Sequence, residues 1–391
     1  MTAGVRRPPQ LLDVLVIGAG QAGLAAGYWL GRSRLSFQIV ERASRVGDSW
    51  RRRWESLTLF TPVAHSSLPG LAMPGEPDAY PTRDEVADYL DSYARHFRLP
   101  IRFSDGVRRL TSDGSGFSAI LASGSLLRAR AVIVATGAFQ VPRVLPAARD
   151  LPSTVTQLSP TTYRNPAATP NGRVLVVGDG ATGRQIALEL ATAGRLVSLA
   201  TGRPRRVTAE RVGGRSVFWW LSRAGALAAH RDSLVGRYLR RTDPFPGRHL
   251  SLRALAARGV KIRGPLSGFS DAVPRFADGA AESVSVVVWA TGYTDETGWL
   301  AIAGATDAQG RIIETDGFAP VSGLHFAGRS WQRSRGSALL SGVGADARHV
   351  VDHITDSLDV SSSRVAAHHH RHHHDAPASQ RPGCRLSAIR L

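Results

Sequence analysis

Two glycine fingerprints constrain this chain more than any other feature. Gly18-Ala19-Gly20-Gln21-Ala22-Gly23 and Gly178-Asp179-Gly180-Ala181-Thr182-Gly183 share the spacing G-x-G-x-x-G. Each follows a short apolar run, Val14 to Ile17 and Val174 to Val177, and each opens an Ala/Leu-rich segment. Strand, tight turn and helix in that order make a dinucleotide-binding unit. The glycines let the backbone approach a pyrophosphate, and the helix N-terminus favours its charge. One match is weak; two in the right context point to two dinucleotides facing each other.

The residues downstream separate the two units. Glu41 lies 23 positions after Gly18 and closes the run Phe37 to Val40. A carboxylate there accepts hydrogen bonds from adenosine ribose hydroxyls. Thr201 lies the same distance after Gly178, and no carboxylate follows until Glu210. Arg203, Arg205 and Arg206 stand between them instead. A guanidinium grips the 2′-phosphate that a carboxylate would repel. The first site therefore reads as FAD or NAD, and the second as NADP. The plain alternatives are a ligand-free Gly-rich turn and a solvated basic loop.

The formal net charge of +18 invites a nucleic-acid reading. That reading is set aside. Lys261 is the only lysine, the arginines are spread along the chain, and no nucleic-acid module signature is present. Such a skew reflects overall composition rather than a binding face. Cys384 is the only cysteine, so no disulfide forms within the chain, which fits a reducing cytoplasm. Arg6-Arg7 before the uncharged stretch from Val14 to Gly31 mimics an export signal or membrane span. Asp13, the glycines and the spacing to Glu41 make it a buried strand and helix instead, so no membrane partner is expected.

With 391 residues, the chain has room for two or three domains. Thr82-Arg83-Asp84-Glu85 starts a helix in capping-box style, and Val86, Leu90, Tyr93 and Phe97 recur at helical spacing. The stretch 101–130 alternates and reads as an antiparallel hairpin. The buried run Ala131 to Val134 ends in Ala135-Thr136-Gly137, and Val286 to Trp289 ends in Ala290-Thr291-Gly292-Tyr293. Gly18 to Thr136 spans 118 positions and Gly178 to Thr291 spans 113, a pseudo-repeat. The expected fold is α/β, with two Rossmann-like dinucleotide-binding domains, the second inserted in the first. The expected boundaries are 1–140 and 291–357 for the FAD domain, 141–172 for a crossing linker and 173–290 for the NADPH domain. Residues 358–391, with the run His368 to His374, have no apolar period and are expected to be disordered. Adventitious metal binding is the plain reading of those histidines. His65, His96 and His325 lack metal-ligand spacing, so no metal is expected.

Several further segments resemble the flavin-containing monooxygenase family, closest to its small bacterial single-component branch. They are Gly47-Asp48-Ser49-Trp50-Arg51, Ser56-Leu57 through Thr61-Pro62, Leu68-Pro69-Gly70 and Tyr80 to Arg83. Tyr163-Arg164-Asn165-Pro166, Phe218-Trp219-Trp220, Ala290 to Tyr293, Gly323 to Gly328, Arg335 to Ala338 and Gly342-Val343-Gly344 complete them. The resemblance covers about residues 11–355. It implies that NADPH reduces FAD. The reduced flavin would then take up O2 as a C4a-hydroperoxide and pass one oxygen atom to nitrogen, sulfur or a ketone. The cofactors carry that chemistry, so no catalytic residue is assigned. To the fingerprint residues Gly18, Gly20, Gln21, Gly23, Glu41, Gly178, Gly180, Ala181, Thr182, Gly183, Thr201, Arg203 and Arg205, the resemblance adds further cofactor-binding candidates. These are Arg42, Gly47, Trp50, Thr136, Gly137, Thr291, Gly292, Tyr293, Gly328 and Gly342. A helix starting near Gly342 would aim its N-terminus at the flavin; tight packing of Gly342 and Gly344 is the alternative.

The chain departs from that family at two places. Ser159 stands where a His is expected, with Ser153 and Val155 near the preceding Phe and Gly positions. Phe60 stands where relatives carry a polar residue near the flavin. A lost hydrogen bond there would shorten the life of the oxygenating species. An NADPH oxidase releasing hydrogen peroxide, and a turnover-deficient flavoprotein sensor, are therefore the alternatives. A disulfide reductase needs a cysteine pair that the chain lacks. A flavin amine oxidase needs no second fingerprint, and a Baeyer–Villiger enzyme remains open without its extended motif. The substrate pocket is expected between the 56–75 loop and the 207–245 insertion. Phe218-Trp219-Trp220 reads as a core wedge or an interface patch, which leaves a homodimer open.

Overall fold

Val14–Ile17 is apolar at every position because both sides of its strand are covered. In a parallel sheet, buried strands read as continuous hydrophobic runs. The computed structural model describes residues 11–372, and at Ala280 and residues 360–372 it defines the backbone alone. Arg6-Arg7, His373-His374 and Cys384 lie outside the described residues.

The chain begins with β1 (Leu11–Ile17), α1 (Gln21–Leu30) and β2 (Phe37–Val40), the expected first βαβ unit. After α2 (Asp48–Arg51) and α3 (Arg83–His96) come β3 (Ile101–Arg102), β4 (Val107–Ser112), β5 (Phe117–Leu121) and β6 (Leu126–Val134). One sheet joins them in the order β3-β2-β1-β6-β5-β4. β1 pairs in parallel with β2 and β6, whereas β4, β5 and β6 form an antiparallel edge. The expected hairpin is thus a three-strand meander fused to the parallel sheet. The capping box of α3 is present: the Glu85 amide donates to Thr82 Oγ1, and the Thr82 amide donates to Glu85 Oε2 at 2.7 Å. Val86, Leu90 and Tyr93 are its buried face.

β7 (Val141–Pro142) and β8 (Thr156–Leu158) follow. The second unit is β9 (Val174–Val177), α4 (Ala181–Thr192) and β10 (Val197–Ala200). Short elements fill the insertion: β11 (Val207–Thr208), β12 (Arg211–Val212), β13 (Arg215–Ser216), α5 (Val217–Arg223), α6 (Leu234–Thr242) and β14 (Phe245–Pro246). Then come α7 (Leu252–Ala257), β15 (Lys261–Arg263), β16 (Leu266–Ser270), β17 (Val273–Phe276), β18 (Gly279–Ala280) and β19 (Val286–Trp289). The second sheet is parallel, in the order β15-β10-β9-β19-β8. The stretch 141–172 is therefore more than a linker: its residues 156–158 form an edge strand of the second sheet. The strand is three residues long in a Pro/Thr-rich stretch, too short to show a period.

Side chains alternate across this sheet. Val174, Val176, Val286 and Val288 pack with Ile186 and Leu190 on one face. Leu175, Val177, Val287 and Trp289 pack with Phe269 and Phe276 on the other. The Trp289 indole N–H donates to Gln157 Oε1 at 3.0 Å, so its one polar atom is satisfied.

β20 (Tyr293–Thr294) pairs antiparallel with β7, which ties the two crossings between the sheets together. β21 (Leu324–Phe326) then returns beside β6 in the first sheet. α8 (Leu340–His372) follows. The chain divides into two compact units after Val351, and both sheets fall in the unit that ends there. Residues 358–372, expected to be disordered, continue α8 as helix. Propagating an established helix is far cheaper than nucleating one, so no apolar stripe is required.

Candidate active site

The first fingerprint divides its glycines between packing and access. Gly18 has φ +103°, and a Cβ there would lie 2.7 Å from the Ala135 carbonyl oxygen. A Cβ on Gly23 would overlap the Gly18 carbonyl oxygen. Gly20 differs: a Cβ there meets nothing within 4 Å. Gly20 is also the N-cap of α1, and no side chain caps that end. The turn therefore presents a helix N-terminus to open space, the geometry that suits a pyrophosphate.

That space is a cavity of about 420 Å³. Its wall brings together Gly18, Gly20, Gln21, Glu41, Arg42, Trp50, Thr136, Gly137, Tyr293 and Gly328. Thr182 of the second fingerprint also lines it, so both fingerprints meet at one chamber. Glu41 is fixed from two sides: the Ala19 amide donates to Oε2 at 2.7 Å and the Ala43 amide to Oε1 at 2.8 Å. Both bonds leave each oxygen a lone pair for a ribose hydroxyl. Gln21 Nε2 donates to the Ala338 carbonyl at 2.9 Å, joining α1 to the segment before α8.

Several wall residues carried no motif in the sequence. Arg53 donates to the Tyr293 hydroxyl, and its guanidinium lies 5.1 Å from that ring centre. Burial raises the Tyr293 pKa, and the adjacent Arg53 charge and hydrogen bond act the other way. Gln140 donates to Thr136 Oγ1 at 3.0 Å and to the Gly137 carbonyl at 2.8 Å, and accepts from the Glu296 amide at 2.9 Å. One side chain thus clamps both crossings. Gly106 approaches Arg42 so closely that a Cβ would lie 2.7 Å from the Arg42 Cβ. The roles of Arg53, Gln140 and Gly106 depend on tertiary contacts, so no local spacing announces them.

The second fingerprint repeats the pattern. A Cβ on Gly183 would overlap the Gly178 carbonyl oxygen, and Gly178 has φ +103°. Gly180 is the N-cap of α4, with Ala181 its first residue and no side-chain cap. Thr201 serves β15: its Oγ1 donates to the Arg263 carbonyl at 2.8 Å. A carboxylate is present after all, inside the fingerprint. Asp179 Oδ1 accepts from the Gly202 amide at 2.9 Å, and Oδ2 pairs with Arg184 at 3.0 Å. The first unit holds its turn through the carboxylate after its second strand; the second unit does so through the carboxylate in the turn itself. Arg205 lies against this turn, with its Cζ 3.9 Å from where a Gly180 Cβ would be. Arg203 and Arg205 both pair with Asp243.

Other candidates serve the frame. Gly47 (φ +84°) caps α2 and touches the Ala87 backbone of α3, and α2 in turn carries Trp50 to the cavity wall. A Cβ on Gly342 would overlap the Gly336 backbone, one on Gly344 the Pro69 ring, and α8 starts at Leu340, before both. Close packing is what these two glycines supply. Thr291 Oγ1 donates to the Arg143 carbonyl, while Gly292 (φ +94°) accepts from the Arg143 amide at 2.8 Å. Both belong to the β7–β20 crossing. Neither departure from the family lines the cavity. Ser159 builds a turn, its carbonyl accepting from the Tyr163 amide at 2.8 Å. Phe60 stacks on Phe218 with ring centres 6.1 Å apart. Phe218 is buried while Trp220 is exposed, so Phe218 is a core wedge joining the 56–75 loop to the insertion. His65 stands beside that stack, 6.3 Å from the Phe218 ring, His96 is exposed, and His325 is buried in β21. Among the described residues, no three His, Cys, Asp or Glu gather as a metal site would require.

Two dinucleotide fingerprints reaching one chamber, the second through Thr182, define an oxidoreductase of the two-dinucleotide kind. Residues 15–215 match the family model described as pyridine nucleotide-disulphide oxidoreductase. The chain is 42% identical to an uncharacterized CzcO-like oxidoreductase of Geobacillus kaustophilus, over 88% of this chain and 98% of that one. It is 26% identical to the indole-3-pyruvate monooxygenase YUCCA4 of Oryza sativa, over 88% and 87% respectively. A flavin-containing monooxygenase from Stenotrophomonas maltophilia superposes with a TM-score of 0.75 at 30% identity, covering 89% of this chain and 99% of that one. The chain belongs to the pyridine nucleotide-disulphide oxidoreductase family and, within it, to the flavin-containing monooxygenases.

Proposed function

We propose that this enzyme is an FAD- and NADPH-dependent monooxygenase. It places one atom of O2 into a soft nucleophile, nitrogen or sulfur, or into a carbonyl compound. The observation that carries this reading is the shared chamber, where Thr182 of one fingerprint faces the same space as Gly20 and Gln21 of the other. FAD, when bound, supplies the oxygen-activating chemistry.

The chain's own residues bind and orient. The uncapped N-terminus of α1 at Gly20 holds the FAD pyrophosphate, and Glu41 accepts from the ribose. Arg42, Trp50, Thr136, Gly137 and Gly328 line the rest of that site. The N-terminus of α4, from Gly180 and Ala181, holds the NADPH pyrophosphate, and Arg203 and Arg205 hold the 2′-phosphate. The Arg53–Tyr293 pair and Gln140 fix the crossings between the two sites. A carbonyl acceptor agrees with the substrate for which the rice relative is named. With one cysteine and no internal disulfide, the chain suits a reducing cytoplasm. No helix among the described residues is long and apolar enough to cross a membrane.

The test is coupling. A panel of amines, thioethers and ketones is added to the holoenzyme, and NADPH, O2 and hydrogen peroxide are followed together. An acceptor that speeds NADPH consumption while peroxide yield falls supports the proposal. Peroxide equal to NADPH consumed with every acceptor makes this an NADPH oxidase. FAD binding with negligible turnover makes it a sensor.

A further inference from the structure

Asp243 is placed where the field of its own helix opposes its charge. It ends α6 with φ +40°, a left-handed conformation that only Gly, Asn and Asp adopt with ease. Its carboxylate stands at a helix C-terminus, where the macrodipole disfavours negative charge. The compensation is visible. Oδ2 accepts from Arg205 and, at 3.3 Å, from Arg203. Both guanidiniums thus converge on one oxygen.

The surroundings ask for more negative charge than Asp243 provides. Two guanidiniums against the one carboxylate they share leave one positive charge unmatched. Beside them is the uncapped N-terminus of the twelve-residue helix α4, with the Arg205 Cζ 3.9 Å from the Gly180 Cβ position. A phosphate monoester carries about −1.5 to −2 charge at neutral pH, enough to match both guanidiniums in place of Asp243.

We infer that Asp243 is the internal counter-anion of Arg203 and Arg205, giving way to the 2′-phosphate of NADPH and so setting how strongly the site prefers NADPH to NADH. The inference rests on the reading of these two arginines as the 2′-phosphate grip. Without a phosphate, Asp243 keeps the two cations oriented and limits their repulsion. A nucleotide carrying the phosphate exchanges one ion pair for another, and the net gain is smaller than bare arginines would give. A nucleotide lacking it makes no exchange.

The probes are 2′,5′-ADP and 5′-AMP, titrated calorimetrically into the flavin-loaded enzyme. Asp243→Asn keeps the left-handed tolerance and removes the charge. It is expected to tighten 2′,5′-ADP by about fivefold, the upper range for a partly exposed pair, and to leave 5′-AMP unchanged. The KM ratio of NADH to NADPH should rise by the same factor. Unchanged or weakened 2′,5′-ADP binding, or equal tightening of both probes, overturns the inference. Asp243→Gly, which relieves the positive φ, repeats the measurement if the Asn variant does not fold. Arg203→Glu and Arg205→Ala separate the two layers. If they lower the 2′,5′-ADP preference while the Asp243 variants fail to raise it, the counter-anion alone is wrong. If they leave the preference intact, the 2′-phosphate grip and the counter-anion fall together.

Discussion

Gly23→Ala is expected to yield a protein that has lost both stability and flavin, whereas Gly20→Ala loses flavin alone. A methyl on Gly23 overlaps the Gly18 carbonyl oxygen, which belongs to the same turn. Neither partner is a flexible side chain, so the backbone of β1 or α1 must move. Overpacking a tight core site costs about 1–3 kcal/mol or more. The displaced turn also removes the pyrophosphate cradle. At Gly20 a methyl has at least 4 Å of clear space, so the flavin-free fold should melt at the wild-type temperature. The same methyl then occupies the space in front of the α1 N-terminus and excludes the pyrophosphate. Thermal melts of flavin-free samples, with flavin release followed by fluorescence, check both. Tight flavin binding by Gly20→Ala would contradict the assignment of this turn.

The second large effect lies in the NADPH half. Arg184 and Asp179 are 2% and 5% exposed, an ion pair inside the fold. Arg184 also donates through Nε to the Asp179 carbonyl at 2.8 Å and through a guanidinium N–H to the Leu250 carbonyl at 3.1 Å. Arg184→Met leaves the Asp179 carboxylate buried with the Gly202 amide as its remaining partner, and breaking such a pair costs about 3–5 kcal/mol. Urea unfolding should show this as a lower midpoint. The Gly202 turn, held at 2.9 Å by Asp179, then loosens next to Arg203 and Arg205, so KM for NADPH rises while flavin stays bound. The double variant Asp179→Asn/Arg184→Met should recover most of the stability, because no charge is then stranded. Equal destabilisation by the single and double variants would show that the ion pair is not the cause.

The sequence reading was strongest where the chemistry is local. Fingerprint, strand and helix sit within thirty residues of one another, and so does Glu41, so their joint placement follows from spacing alone. The α3 capping box is likewise a four-residue device. What was missed is tertiary. Asp179 occupies a variable position of its motif and gains meaning only when Arg184 and Gly202 close on it. Gln140 bonds to Glu296, 156 positions away. β8 is a three-residue edge strand that only its partner β19 makes recognisable. Ser159, a departure from the family motif, shapes a turn, and Phe60, a departure expected near the flavin, stacks on Phe218. A lost motif residue is not a lost catalytic group unless it faces the chamber.

The most direct test of the two-cofactor account is a double-mixing absorbance experiment on the yellow holoenzyme. NADPH is added without oxygen, and oxygen follows with no acceptor present. The account predicts that NADPH bleaches the flavin, and that oxygen then produces a transient band belonging to neither oxidised nor reduced flavin before the yellow colour returns. Failure of NADPH to bleach the flavin would contradict the shared chamber. Direct return of the colour with stoichiometric peroxide would contradict the monooxygenase.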